Sequence, residues 1–170
     1  LARGPRLVLV RGRPPDGQPH GAGALAQEAL TARGSVASDG TQADGPSSGP
    51  SISHDGHLVA FDSEATNLVA DDTNGVADVF VDEVETGETV RVSTAADGTE
   101  ADGPSFEAFL VGEEFVVFTS AATNLVPDDT NGATDIFRKS LVDGSIERIS
   151  VNEEGEEGNG DSFGGVADES

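Results

Sequence analysis

The sequence lacks four residue types and nearly lacks a fifth. Cysteine, methionine, tryptophan and tyrosine do not occur, and Lys139 is the single lysine. Without cysteine the chain can form no disulfide, no thiolate metal site and no thiol nucleophile, which excludes thiol chemistry in any compartment. Eight phenylalanines are the only aromatic residues. A glycosidase or lectin surface that stacks sugars on tryptophan or tyrosine is therefore disfavoured.

Basic charge is also scarce. The 170 residues include 32 acidic and nine basic ones, which gives a formal net charge of −23. Such a surface repels nucleic acid and anionic lipid, so the sequence predicts neither a nucleic-acid partner nor membrane insertion. No apolar run approaches the roughly 18 residues that span a bilayer, and no signal peptide is visible. Because the sequence starts at Leu1 rather than methionine, it is compatible with a natural N-terminus further upstream.

One segment of the sequence occurs twice. The residues ATNLVADDTNGVADVFVD at Ala65–Asp82 return as ATNLVPDDTNGATDIFRK at Ala122–Lys139, 57 positions later. A turn-rich connector also repeats, since Ala37–Ser47 matches Ala95–Ser105 at an offset of 58, and Asn152–Ser162 is a weaker third copy. A repeat of this length is typical of propellers and solenoids.

Each complete repeat contains four short segments rich in Val, Ile and Phe and bounded by Gly, Asp and Asn, the pattern of β-strands. The second segment is almost wholly apolar and is expected to be covered on both faces, whereas the fourth alternates and is expected at the edge. This predicts an all-β fold of four-stranded antiparallel propeller blades. The predicted strands are Pro50–Ser53, Leu58–Asp62, Asp78–Asp82 and Thr89–Ser93, then Glu107–Leu110, Phe115–Thr119, Asp135–Lys139 and Ile146–Ser150.

This alignment places a one-residue deletion between Ser105 and Ala108. Three pairs of phenylalanines also recur in register, which predicts packing inside or between the blades rather than ligand stacking. The pairs are Phe61 and Phe118, Phe80 and Phe137, and Phe106 and Phe163.

Composition divides the chain into a head and a repeat region. Residues 1–34 hold five arginines against two acidic residues, together with half of the prolines, and are predicted to be irregular or disordered. The repeat region, residues 35–170, is expected to form one blade at 36–93, a second at 94–150 and a partial blade at 151–170.

Two segments of the head have a possible secondary structure. Arg6–Val10 (RLVLV) predicts a short strand. Ala24–Arg33 is typical of a short helix. Alternatively, its end is a diverged copy of a repeat strand, because Thr31 and Arg33 precede Thr89 and Arg91 by 58 positions. Both alternatives stay open.

The repeated Asp-x-Asn-Gly-x-x-Asp string is the candidate metal site. Oxygen ligands at alternate positions, with glycine for a sharp turn, are typical of calcium loops. The first ligand position falls on Ala70 in one copy and Pro127 in the other, which offer no side-chain ligand. The alternative is a purely structural loop, in which Asp72 forms an Asx-turn, Asn74-Gly75 supplies positive φ and Asp78 accepts hydrogen bonds from loop amides. The candidate calcium ligands are Asp72, Asn74, Asp78, Asp129, Asn131 and Asp135.

Two further motifs suggest catalysis only weakly. Residues 45–49 match the Gly-x-Ser-x-Gly nucleophile elbow around Ser47, but that motif requires a strand before it and a helix after it. Here a connector precedes and a strand follows, so Ser47 is not expected to be a nucleophile. His54 and His57 flank a predicted Asp55-Gly56 turn and are expected to be surface residues. The sequence therefore predicts that the chain is not an enzyme.

At Pro50–Ser63 (PSISHDGHLVAFDS), followed by the repeated ATNLV-x-DDTNG loop and the TVRVS strand, the sequence resembles the TolB-like, WD-like β-propeller repeats. The resemblance covers roughly residues 35–165. It implies a six-bladed propeller, export to the bacterial envelope or secretion, and a role as a binding or scaffold module. Two complete units cannot close a ring of about four to eight blades. We therefore expect an incomplete propeller fragment, monomeric, whose ring is closed by further blades of the same chain or by self-association.

The expected function is accordingly a non-catalytic binding or scaffold module of an exported acidic protein, with calcium as the only cofactor suggested. The alternative is the propeller domain of a larger hydrolase, such as a prolyl-oligopeptidase-like enzyme, in which it would gate substrate entry. No ligand can be named, because the fold does not specify one and the loop composition is generic.

Overall fold

The computed structural model describes residues 32–164, and this part of the chain forms eight strands in two antiparallel sheets. The first sheet has the order β1-β2-β3-β4 and the second β5-β6-β7-β8, so that each repeat is one four-stranded blade. The all-β fold predicted from the sequence is confirmed. The strands are β1 (Ser47–Ile52), β2 (Leu58–Ser63), β3 (Asp78–Glu83), β4 (Glu88–Arg91), β5 (Ser105–Val111), β6 (Phe115–Ser120), β7 (Asp135–Ser140) and β8 (Ile146–Arg148).

Strand order follows from the distribution of apolar residues. The apolar strand β2 lies inside the first sheet and the alternating strand β4 lies at its edge, as the sequence predicted. No helix occurs within residues 32–164, so this part of the chain contains no helix that could cross a membrane. Tight turns join the first two and the last two strands of each blade, and the glycines of the predicted Asp55-Gly56 and Asp143-Gly144 turns have φ values of 79° and 73°.

The first strand of each blade contains a β-bulge that the sequence analysis missed. The pairing of β1 with β2 shifts register between Ser48 and Ser51, and that of β5 with β6 shifts between Phe106 and Phe109. The bulge contains a residue in the left-handed region, Gly49 with φ 59° in one blade and Glu107 with φ 56° in the other. A Ser-Ser-Gly string is typical of a loop, so β1 was predicted to start at Pro50, three residues late. The start of β5 was predicted two residues late, at Glu107.

The bulge also corrects the alignment of the two repeats. Ser51 pairs with Ala60, and Phe109 pairs with Val117, so the first strands match at an offset of 58 rather than 57. The predicted deletion between Ser105 and Ala108 is therefore wrong. The missing residue lies in the hairpin turn, where His54–His57 in the first blade is replaced by the three residues 112–114 in the second.

The two blades pack face to face through an asymmetric contact, here called the blade seam. Phe118 and Phe137 project from the second sheet and are completely buried in one cluster with Ala60, Val79 and Val81 of the first sheet. Phenylalanines from one blade thus fill a surface of small and β-branched residues on the other. The blade seam comprises Ala60, Val79, Val81, Val92, Ala101, Ala108, Val116, Phe118, Ala122, Leu125 and Phe137.

The equivalent phenylalanines of the first blade lie on the opposite face of their sheet. Phe61 pairs with Phe80, whereas the neighbouring Ala60 pairs with Val81, and successive side chains of a strand point to opposite faces. Phe61 and Phe80 therefore belong to a second cluster, away from the blade seam. The third recurrent pair does not form core, because Phe106 is only partly buried and Phe163 is 58% exposed. For that pair the predicted packing between blades stays a prediction.

The connector before each blade is closed by one isolated β-bridge. The bridges are Val36 to Gln42, Thr94 to Glu100 and Val151 to Glu157. In the first copy Ala43 N–H donates to Ser35 O, and Ala101 N–H donates to Ser93 O in the second, each at 3.3 Å. Residues 34–43 thus repeat the backbone arrangement of residues 92–101.

The predicted head lies almost wholly outside the described residues. The strand predicted at Arg6–Val10 falls there entirely, and the predicted helix Ala24–Arg33 is described only at its last two residues, which are not helical. Gly34 begins the compact unit that carries both sheets. Of the predicted partial blade, the structure describes residues 151–164.

Candidate functional site

The loop between β2 and β3 brings acidic residues around one arginine of β4. The Nη1 atom of Arg91 lies 3.6 Å from Asp72 Oδ1, 3.5 Å from Asp78 Oδ2 and 2.7 Å from Glu100 Oε1. The Arg91 side chain is 8% exposed, and those of Asp72 and Asp78 are 2% and 0% exposed. These four residues form the first arginine–carboxylate cluster, in which three side chains are buried and Glu100 is 20% exposed.

The second blade contains the same arrangement. The Nη1 atom of Arg148 lies 3.3 Å from Asp129 Oδ1, 3.6 Å from Asp135 Oδ2 and 2.9 Å from Glu157 Oε2. Glu157 belongs to the connector that follows the second blade, just as Glu100 follows the first. Each cluster therefore ties the long loop of one blade to the chain that leads onward from it.

The glutamate of each cluster also binds the loop backbone. Glu100 accepts hydrogen bonds from the N–H groups of Thr73 and Asn74 at 2.7 and 3.0 Å, and from the Thr73 hydroxyl at 2.6 Å. Desolvation by burial opposes ionisation, but these hydrogen bonds and Arg91 outweigh it and lower the pKa of Glu100 to about 2. The Thr130 hydroxyl and N–H likewise lower the pKa of Glu157. Both glutamates are therefore carboxylates at neutral pH.

Burial acts in the opposite direction on the aspartates. Desolvation and the charge of Asp78 raise the pKa of Asp72, and desolvation raises that of Asp78 against hydrogen bonds from Ser93 and Asn74. Asp129 follows the same pattern, with its pKa raised by burial. Asp72 Oδ1 and both carboxylate oxygens of Asp129 are buried without a hydrogen-bond donor. The clusters thus hold carboxylate oxygens with unused acceptor capacity.

The asparagine of each loop presents its amide nitrogen to the cluster. Asn74 Nδ2 donates to Asp78 Oδ2 at 2.8 Å and to Ala101 O at 3.0 Å, while its Oδ1 accepts from Val76 N–H at 3.0 Å. Asn131 makes the same three contacts in the second blade. The Asx-turn expected at Asp72 is therefore made by Asn74. Of the Asn74-Gly75 pair, only Gly75 has a positive φ, at 69°.

Calcium binding by the six predicted residues stays a prediction. One carboxylate oxygen each from Asp72, Asp78 and Glu100 lie within 4.8 Å of one another, close enough to share a metal ion. The structure thus brings the predicted ligands Asp72 and Asp78 together with Glu100, which was not predicted. The side-chain oxygen of Asn74, a third predicted ligand, accepts a hydrogen bond from the Val76 N–H instead.

The sequence analysis found the aspartates of the clusters and missed the arginines and glutamates. Their signal was present, since Arg91 and Arg148 recur 57 positions apart in TVRVS and IERIS, and Glu100 and Glu157 recur at the same offset in the connectors. Periodicity alone could not show that they meet the loop, because the contacts join residues about 20 to 30 positions apart in sequence.

The other candidate residues serve local structure. Ser47 starts β1, and its hydroxyl donates to Ser63 Oγ at 2.9 Å, with an equivalent serine pair in the second blade. No helix follows Ser47, so the nucleophile elbow is not formed. His57 Nδ1 lies 2.9 Å from Asp55 Oδ2 at the hairpin turn, and its side chain is 49% exposed. The Ser53 hydroxyl and the His57 N–H lower the pKa of Asp55 to about 2.

Two consecutive four-stranded antiparallel sheets, packed face to face and joined by repeated connectors, define a pair of β-propeller blades. No protein-family model matches this sequence, and no curated protein matches it. Among solved structures, TolB from Acinetobacter baumannii is similar over 66% of this chain and 22% of its own, with 22% identity and a TM-score of 0.42. "Putative TolB" from Agrobacterium tumefaciens is similar over 61% of this chain and 33% of its own, with 19% identity and a TM-score of 0.41.

Both structures have the TolB name that the repeat motifs suggested, and this chain spans about a fifth to a third of their lengths. The description of this chain as propeller blades rests on its own two sheets and their repeated register.

Proposed function

We propose that the chain is a non-catalytic binding or scaffold module built from propeller blades. The observation that supports this role is the use of the charged groups in the repeated loops. In each cluster the glutamate is bound by the arginine and by a loop backbone amide, and the aspartate at the start of β3 or β7 is bound by the loop asparagine. Groups engaged in this way hold a loop and a connector in place and are not free to activate a substrate.

A further blade is the partner that the second sheet fits. The face of β6 and β7 that carries Val117 and Ile136 corresponds in register to the face of the first sheet that the second sheet covers. The chain beyond β8 already runs along the second blade, where Ser162 N–H donates to Thr134 O at 2.7 Å, as Ser105 N–H does to Ala77 O at 2.8 Å. That partner belongs either to the same polypeptide or to a second copy. Light scattering of the 170-residue chain distinguishes these two alternatives. A stable dimer favours a second copy as the partner, and a monomer favours further blades of the same polypeptide.

The rival function is a substrate-gating propeller of a hydrolase. Labelling of the natural full-length protein with a fluorophosphonate probe distinguishes the two. A scaffold gives no labelling, whereas a hydrolase is labelled at a serine outside residues 32–164. A Ser47→Ala variant serves as the control, since labelling that disappears in this variant would place the nucleophile inside the blade and refute the proposal.

Export completes the proposed function. The resemblance to TolB-like repeats supports a location in the cell envelope or outside the cell, and the absence of cysteine is compatible with it. Fractionation of the native host, with immunoblotting of cytoplasmic, envelope and secreted fractions, tests it. Finding the protein only in the cytoplasm would contradict export and leave the scaffold role to the labelling experiment.

A further inference from the structure

We propose that Arg91 takes the place of a metal ion in a loop that resembles a calcium loop, and that removing its guanidinium turns the surrounding carboxylates into a divalent-cation site. The inference does not depend on the proposed scaffold role. It assigns the cation of the loop to the chain itself, and it predicts that the native blades are insensitive to calcium.

The first step is the arrangement of the carboxylates. Three acidic side chains from three different segments converge, with one oxygen each from Asp72, Asp78 and Glu100 within 4.8 Å of one another. Calcium binds carboxylate and carbonyl oxygens at about 2.3–2.6 Å and accepts irregular geometry, completing its shell with water. An ion at the centre of this triangle would lie within about 2.8 Å of all three oxygens, close to that distance.

The second step is the cation already present. Arg91 Nη1 lies 2.7 to 3.6 Å from an oxygen of each of the three acids. A guanidinium is charged at every accessible pH and offers several N–H donors in a fixed plane. Because Arg91 is part of β4, this cation cannot dissociate. A calcium ion would have to displace it or share its carboxylates against its charge.

The third step is the orientation of the asparagine. Asn74 directs Nδ2 toward Asp78 and gives Oδ1 to the Val76 N–H. An amide nitrogen is a donor and cannot bind a metal ion. The loop therefore has the residue types of a calcium loop. The side chain of Asn74, however, presents its amide nitrogen rather than its oxygen to the carboxylate beside Arg91.

The fourth step is the charge that remains without arginine. Asp72 and Asp78 are at most 2% exposed, and Asp72 Oδ1 has no hydrogen-bond donor. Buried carboxylates without a cation are strongly unfavourable and must be protonated, hydrated or paired with another cation. In an Arg91→Ala variant, the vacated volume and the three acids together favour a hydrated divalent cation.

The test compares the wild-type 170-residue chain with Arg91→Ala. Each protein is treated with chelator, and calcium chloride is then titrated at pH 7 by isothermal calorimetry, with parallel melting curves. We expect no calcium heat and a Tm shift below about 1 °C for the wild type. Arg91→Ala is expected to melt lower without metal and to regain several degrees with millimolar calcium, since a ligand that binds only the folded state raises its stability.

Arg138→Ala is the matched control. Arg138 lies on β7, pairs with Glu147 and covers the Phe115 ring, and among residues 32–164 no group of three converging acids surrounds it. Its removal should create no calcium response. A calcium response in Arg91→Ala but not in Arg138→Ala thus shows that the cluster, rather than the general acidity of the chain, binds the ion.

Several outcomes would overturn the proposal. Calcium binding by the wild type would do so and would support the calcium prediction made from the sequence. A folded Arg91→Ala variant that ignores calcium would also refute it. If this variant is unfolded after chelation, circular dichroism with added calcium decides, because refolding supports the proposal and persistent unfolding refutes it. Arg91→Lys keeps a positive charge and should remain indifferent to calcium.

Discussion

Phe118 on β6 lies opposite Phe137 on β7, with ring centroids 6.0 Å apart and ring planes inclined by 30°. Both rings are completely buried in the blade seam, against Ala60 and Val79 of the other sheet. The pair therefore connects the core of one blade to the packing between blades.

Replacing Phe137 by alanine should lower the free energy of unfolding by about 3–5 kcal/mol, because the cavity is surrounded by rigid strands of two sheets. Urea denaturation monitored by circular dichroism measures the change. Phe80→Ala, which breaks the Phe61–Phe80 stack of the first blade, should cost a similar amount. Phe163→Ala is the control, since that ring is 58% exposed. A loss below about 1 kcal/mol for Phe137→Ala would contradict the packing described.

Gly103 is predicted to tolerate no side chain. A Cβ atom there would lie 2.7 Å from Ala121 O and 2.8 Å from Ala121 C, which are backbone atoms that cannot turn aside. Gly103→Ala should therefore destabilise the chain by about 1–3 kcal/mol.

Gly158→Ala is the matched control, because its nearest neighbour would be Gly160 O at 3.5 Å and alanine occupies that position in the other two connectors. It should be neutral or slightly stabilising. Equal melting temperatures for the two variants would show that the contact at Gly103 is not tight.

Asp82 is a buried acid of β3 without a basic partner among the described residues. It is 5% exposed, the Thr89 hydroxyl lies 3.2 Å from its Oδ1, and burial raises its pKa above the ordinary value of 3.8. The folded state then holds the proton more tightly than the unfolded state, so this group contributes less stability as the pH rises through its folded pKa.

Asp82→Asn should consequently raise the melting temperature at pH 7, with a difference from wild type that disappears below about pH 3.8. Thermal melts from pH 3 to pH 7 measure the trend. Glu88→Gln on the exposed edge of the same sheet should change stability by less than about 0.5 kcal/mol. A variant that melts lower than wild type at pH 7 would show that the charge of Asp82 stabilises the blade.

Lys139 occupies in the second blade the position of Asp82 in the first, and it binds a connector. Its Nζ donates to Thr94 O at 2.8 Å, to Thr94 Oγ1 at 3.2 Å and to Ala95 O at 3.0 Å. Burial lowers the pKa of Lys139. Lys139→Met keeps an unbranched side chain one atom shorter and removes the ammonium donors.

We expect this variant to lose about 1–3 kcal/mol of stability, because the connector carbonyls lose their donor. Chemical denaturation measures the loss, and amide hydrogen exchange should rise first at residues 94–99. The exposed neighbour Arg138→Ala should cost less than about 1 kcal/mol. Unchanged exchange in the connector would mean that water replaces the ammonium without cost.

Much of the fold could be predicted from local patterns. Strands β2 and β3 were placed within one residue, because short runs rich in Val and Phe, bounded by Gly, Asp and Asn, indicate a strand without reference to its neighbours. The start of β1 was predicted incorrectly, because the bulge at Gly49 depends on pairing with β2. The candidate site was predicted in part. Asp72 and Asp78 stand in one visible motif, whereas Glu100 reaches it only through the connector.

The amino-acid sequence by itself determined the repeat, the strands and the acidic loop, because each of these depends on residues close together in the chain. Only the tertiary structure decided which face of each sheet enters the blade seam and which cation stands among the loop carboxylates. Both depend on contacts between segments about 20 to 60 residues apart, where register, burial and side-chain direction select one neighbour from several of similar chemistry.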